Sequence, residues 1–139
     1  MKILGLDVGV QTGLCVMDDK FHVHHLQTLE LSWTLHVRTH LLLTDDIDAV
    51  VVEYPVLDSF VNSRNDLRRA VGEIRIGISH AHPYLKVVEV TPGRWKNVPI
   101  DWDEITFKDP IAYQTRTAHS KDAIGICSWY LKFGQKESQ

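Results

Sequence analysis

Apolar and polar positions along this chain outline its elements before any chemistry is considered. Residues 2 to 8 (KILGLDV) read as a buried strand, aliphatic except at Lys2, Gly5 and Asp7. A turn containing Gly9 and Gly13 leads into a second apolar run, Leu14 to Met17, that closes at Asp18-Asp19, the pattern of a hairpin. Phe21 to Leu29 alternates imperfectly and predicts a third strand. Ser32 is placed to cap a helix carrying Leu35, Leu42 and the stem of Arg38. Residues 48 to 53 (DAVVVE) form the clearest strand, three consecutive β-branched valines ending in the carboxylate of Glu53.

The second half changes period. Leu67, Ala70, Val71, Ile74 and Ile78 fall on one face of a helix that His82-Pro83 ends, because the residue before proline avoids the helical region. Lys86 to Val90 (KVVEV) predicts another strand, and Thr91-Pro92 is a cap-plus-first-position pair for a short helical turn carrying Arg94, Trp95 and Lys96. Residues 98 to 118, with Pro99 and Pro110, read mostly as loop. The last helix is expected from about Ser120 to Lys132, with Ala123, Ile124, Cys127 and Leu131 inward and Gly134 as its stop. The order β-β-β-α-β-α-β-(turn)-α predicts an α/β fold, a mixed sheet of about five strands with helices on both faces. In such sheets strand tips hold the chemistry.

A length of 139 residues with 44% hydrophobic and 24% charged positions fits one folded unit, expected over residues 1 to 134 with a polar tail at 135 to 139. The formal charge of -3 alone argues mildly against a nucleic-acid partner, but its distribution is uneven. The first 60 residues hold three bases and nine acids, whereas the rest hold twelve bases and nine acids. The second half can therefore present a basic face. Cys15 and Cys127 each sit in an apolar run, which fits buried free thiols and a reducing cytoplasm. No stretch approaches the roughly 18 apolar residues of a membrane span, and no signal-peptide core is visible.

Four ionisable groups stand at the predicted element ends: Asp7, Glu53, His119 and Asp122. His119 and Asp122 are three residues apart, so both project from one side of a helical turn. Hard cations such as Mg²⁺ take oxygen ligands, and paired ions about 4 Å apart activate water and stabilise a leaving oxygen on phosphate. Each acid alone reads as well as a solvated terminus; three at three element ends suggest a site. The histidines His22, His24, His25, His36 and His40 have no cysteine nearby, and they weigh little as a zinc site. Trp95 and Trp102 are expected to be core or boundary aromatics rather than base-stacking platforms.

These segments resemble a known family. Ile3-Leu4-Gly5-Leu6-Asp7-Val8-Gly9 is similar to the first strand of the RuvC family of Holliday-junction resolvases, in the RNase H-like superfamily. Val51-Val52-Glu53 resembles its second acidic strand, Asn62 to Ser79 its long helix, Thr91-Pro92-Gly93-Arg94-Trp95-Lys96 its T/A-P-x-x-x-K segment, and His119 to Ile126 its closing helix. The resemblance implies an RNase H-like sheet and a homodimer, each subunit nicking one of two opposed strands of a four-way DNA junction. It implies two Mg²⁺ per subunit, with Mn²⁺ able to substitute. Asp7, Glu53, Asp122 and His119 would be both catalytic and metal-binding, with Asp7 shared between the ions. Lys96 matches a lysine near the DNA backbone; Arg94, Lys121, Arg64, Arg68 and Arg69 are the further DNA-binding candidates. The family's aromatic wedge position is Val56 here, with Tyr54 or Phe60 as substitutes, and the chain is shorter between Lys96 and His119. Its compactness is similar to phage-encoded members, implying the cytoplasm of a bacterial or phage-infected cell.

Two other classes remain open. Asp7 to Gly13 also looks like the phosphate loop of actin-like ATPases, but those need a duplicated domain that 139 residues cannot supply. The alternative readings are an RNase H-like nuclease on flaps, other branched DNA or ribosomal RNA precursors, as in the YqgF type, and a non-catalytic nucleic-acid-binding module.

Overall fold

The computed structural model describes residues 1–30, 33–43, 46–53, 61–108 and 117–135, with the side chains of 33, 34 and 61–67 left aside. Ser32, the wedge candidates Tyr54, Val56 and Phe60, and the tail residues 136–139 lie outside the described residues, as do the side chains of Arg64 and Leu67.

Six strands form one sheet in the order β5-β4-β1-β2-β3-β6. The hairpin of β1 (Lys2–Asp7) and β2 (Gln11–Asp18) is its centre, and β3 (His22–Glu30) extends it antiparallel. On the other side, β4 (Ala49–Glu53) runs parallel to β1, and β5 (Lys86–Val90) parallel to β4. The sixth strand, β6 (Thr106–Phe107), was not expected: it pairs for two residues with His22 and Val23 of β3. So short a strand carries no readable alternation, and its position depends on a distant partner.

The period of two along each strand divides the core into two layers. Leu4, Leu6, Leu14, Val16, Val50 and Val52 pack with α1 (Trp33–Leu43) and α2 (Val61–Ala81), which contribute Leu35, Leu43, Val71, Ile74 and Ile78. Ile3, Cys15, Met17, Ala49 and Val51 face the opposite layer, built from Trp95 of α3 (Pro92–Trp95) and from α4 (Ala118–Trp129). Helices therefore cover both faces.

Two expected boundaries of the last helix are corrected. It starts at Ala118 rather than Ser120, because Thr117 is the cap: Ser120 N–H donates to Thr117 Oγ1 (3.2 Å), and Thr117 N–H donates to Ser120 Oγ (2.6 Å). Gly134 does not stop it. The helix passes into a π-helical turn, Tyr130–Gly134, and no glycine has positive φ among the described residues. A Cβ at Gly134 would lie 2.7 Å from the Trp129 ring and 2.8 Å from that of Tyr130, so this glycine serves close packing. Arg38 is exposed, and buried Thr39 shares the inner face of α1 with Leu35. No described helix is long and apolar enough to cross a membrane.

Candidate active site

Strand parity aims the acids. Asp7 follows Ile3 and Gly5 at steps of two, and Glu53 follows Ala49 and Val51, so both project toward α4. The β1–β4 register pairs Ile3 with Ala49 and Gly5 with Val51; one more step sets Asp7 beside Glu53 at the same sheet edge.

Glycines bring the helix to the acids. A Cβ at Gly5 would lie 2.6 Å from Cys127 Sγ and 2.9 Å from the Ala123 carbonyl oxygen, and one at Gly13 would collide with the His119 carbonyl. Only residues without a side chain allow α4 to lie this close to β1 and β2, and that closeness carries His119 and Asp122 to Asp7. Gly13 belongs to β2 rather than to the expected turn. The turn itself is held by Thr12, whose buried hydroxyl donates to the Gly9 carbonyl (3.0 Å) and accepts from Gly9 N–H (3.3 Å).

The resulting cluster is electrostatically loaded. The Asp7 carboxyl is within hydrogen-bonding reach of both Glu53 and Asp122, and its Oδ2 lies 3.6 Å from His119 Nδ1. Burial leaves only 12% of the Asp7 side chain exposed and pushes its pKa above the ordinary value; the Asp122 charge adds to the rise, while Glu53 and Lys96 oppose it. Burial also raises Asp122, with the Glu53 charge in the same direction and Lys96 and His119 against it. A hydrogen bond between two carboxyl groups needs a proton from one of them. Three carboxyl groups thus crowd one end of the sheet, with Lys96 and His119 as the nearby basic groups.

Among the described residues, no three His, Cys, Asp or Glu side chains form a ready-made metal cage. Mg²⁺ takes hard oxygen ligands, commonly carboxylates completed by waters and substrate phosphates. The residues fit such an ion as hard oxygen donors with His119 at the border.

Of the expected site residues, the structure brings together Asp7, Glu53, Asp122, His119 and Lys96. Arg94 and Lys121 are exposed on the same layer, on α3 and α4. Arg68, half-buried, and Arg69, exposed, stand on α2 across the sheet and are not among the groups acting on Asp7. Trp95 is buried, and its ring lies 5.5 Å beneath the Lys96 ammonium; Trp102 is partly exposed. Sequence reasoning missed the docking role of Gly5 and Gly13, although Gly5 shares strand parity with Asp7.

Solved structures place this architecture. Over 96% of both chains it matches Thermus thermophilus RuvC in complex with a Holliday junction substrate, at 20% identity and a TM-score of 0.71. The fold is that of the RuvC-like resolvases. The yeast mitochondrial Holliday junction resolvase Ydc2 matches 96% of this chain over 79% of its own, at 15% identity and a TM-score of 0.67. A fowlpox virus resolvase with Holliday junction DNA matches over the full length of both chains, at 14% identity and a TM-score of 0.56. No family model and no curated sequence matches the chain. On this resolvase fold, the carboxylate cluster lies where two parallel strand ends meet the start of α4.

Proposed function

We propose that the chain is a structure-specific DNA endonuclease that resolves four-way junctions by metal-dependent phosphodiester hydrolysis, acting as a homodimer with one site per subunit. The observation that carries this reading is the convergence of Asp7, Glu53, Asp122 and His119 at one sheet edge of a RuvC-like fold, with Asp7 central and its carboxyl raised by burial. The solved relatives include two bound to Holliday junction DNA.

Asp7, Glu53 and Asp122, with His119 beside them, would hold two Mg²⁺ or Mn²⁺ ions. Bound there, such ions supply the Lewis acidity that activates water and stabilises the departing oxygen. The residues do the rest. Burial raises the pKa values of Asp7 and Asp122 in the ligand-free cluster, so protons and cations compete for these carboxyl groups and cation affinity grows as pH rises. His119, whose Nδ1 lies 3.6 Å from the Asp7 carboxyl, would position the attacking water or exchange a proton with it. Lys96, Arg94 and Lys121 neutralise phosphates near the bond cut; Arg64, Arg68 and Arg69 offer backbone contacts farther along an arm.

The test is incubation with an end-labelled four-way junction, a matched duplex and a flap, with Mg²⁺ or with chelator. Paired symmetric nicks in the junction, abolished by chelator, are expected. Cleavage of flap or RNA in preference to the junction moves the chain to another nuclease class, and binding without cleavage makes it a recognition module.

A further inference from the structure

The helix that supplies half of the cluster is tied at its cap by a side chain from a distant strand. Thr28 Oγ1 of β3 lies 2.7 Å from Thr117 Oγ1, a hydroxyl–hydroxyl hydrogen bond between residues 89 apart in sequence. Thr117 caps α4, two residues before His119 and five before Asp122. The mutual bonds of Thr117 and Ser120 settle where the helix begins, but they are local and do not say where that beginning sits on the sheet.

Thr28 supplies the missing coordinate. The register pairs Asp7 with Gly13 and Gly13 with Thr28, so the three form one row across β1, β2 and β3. With strands about 4.8 Å apart, Thr28 stands roughly 10 Å from Asp7. Gly13, the middle of the row, is where the His119 backbone rests. The glycine permits close approach but has no directional hold; the Thr28 hydroxyl has one. A cavity of about 270 Å³, lined by Leu26, Gln27, Thr28, Thr117 and Ser120, lies beside this bond and gives the first turn of α4 room to shift when the tie is lost.

We propose that Thr28 is a positioning residue: its hydroxyl registers the cap of α4 on the sheet and thereby holds His119 and Asp122 against Asp7. The inference rests on the nuclease reading above. Thr28→Val keeps the β-branched shape and removes the hydroxyl, and Thr28→Ser keeps the hydroxyl. Single-turnover cleavage of a four-way junction and junction Kd are measured for both against wild type. Thr28→Val is expected to cut about tenfold more slowly, because His119 and Asp122 are held less closely against Asp7 once the cap loses its tie, with Kd within twofold of wild type. Thr28→Ser is expected to restore the rate. An unchanged rate in Thr28→Val, or a loss that Thr28→Ser does not restore, overturns the proposal. A weakened Kd with unchanged rate also overturns it, making Thr28 a DNA contact in the cavity. If wild type itself leaves every junction intact, the nuclease reading falls instead. The tie is then read from the His119 ring signals by NMR, which move in Thr28→Val and return in Thr28→Ser if Thr28 positions the helix, and coincide with wild type if it does not.

Discussion

The β1–β2 hairpin carries an aspartate at each end, each facing a histidine, and the two have opposite characters. At one end Asp18 is fully served: its Oδ2 lies 2.7 Å from His24 Nε2 and 3.4 Å from His22 Nδ1, while its Oδ1 accepts from the backbone N–H of Lys20 (2.9 Å) and His22 (3.0 Å). Burial pushes its pKa upward, but these bonds outweigh burial and bring it down to about 2. At the other end Asp7 faces two more carboxyl groups, its His119 stands 3.6 Å away, and its pKa is raised. One end is an anion whose partners are folded into the protein; the other is a carboxylate whose nearest neighbours include two further carboxyl groups. A carboxylate with donors on all sides stabilises a turn, whereas one crowded by other carboxyl groups is the form suited to binding cations.

The contrast is broken most strongly at Asp7. Asp7→Asn is expected to slow cleavage by at least about a thousandfold while junction binding persists. The same change should raise neutral-pH stability by about 1 kcal/mol, because it removes an ionised group that the fold disfavours, and should abolish stabilisation by Mg²⁺. A thermal melt with and without Mg²⁺ checks both; a lower Tm in Asp7→Asn contradicts the picture of a loaded site. Next in size is Gly13→Ala, whose Cβ meets the His119 carbonyl and lifts the start of α4. It should cost about 2 kcal/mol of stability and about a hundredfold in cleavage, a disproportion visible by comparing denaturant midpoints with rates below the transition.

The smallest effect on activity belongs to Asp18. Asp18→Asn should cost about 2 kcal/mol by weakening charged hydrogen bonds and leave cleavage by the folded protein unchanged. Its pH dependence has a defined sign. Because the folded-state pKa is depressed to about 2 from about 3.9 in the unfolded chain, this stabilisation is fully present above the unfolded value and is lost as pH falls through about 2. Asp7 runs the other way: its raised folded-state pKa makes the ionised form costly at neutral pH, and the cost is relieved as pH falls through that pKa. Melts across the acid range should therefore show the wild type converging on Asp18→Asn at low pH and on Asp7→Asn before it.

Much of this was legible in the sequence because it is local. The valines before Glu53, the Leu4-Leu6-Val8 parity around Asp7 and the His119-to-Asp122 spacing each declare a face, and those faces converge as expected. The resemblance to RuvC led to the same residues by another route. What stayed hidden depends on approach between distant segments. Gly13 looks like any turn glycine until α4 is laid on it, and Thr28 is an unremarked strand hydroxyl until Thr117 arrives 89 residues later. The two-residue β6 and the π turn around Gly134 arise in the same way, from tertiary packing that no period announces. Arg68 and Arg69 show the converse, since their clustering with basic neighbours in sequence does not put them on the layer of the acids.

The Gly5 contact also gives the molecule a built-in gauge of its own opening. Cys127 Sγ rests in the space that a side chain at position 5 would fill and donates to the Cys15 carbonyl (3.5 Å), with both thiols buried. A thiol reagent reaches either sulfur only when α4 swings away from β1 and β2 or the whole domain unfolds. Because the same helix carries His119 and Asp122, the labelling rate of these cysteines is a clock for how often half of the carboxylate–histidine cluster comes apart.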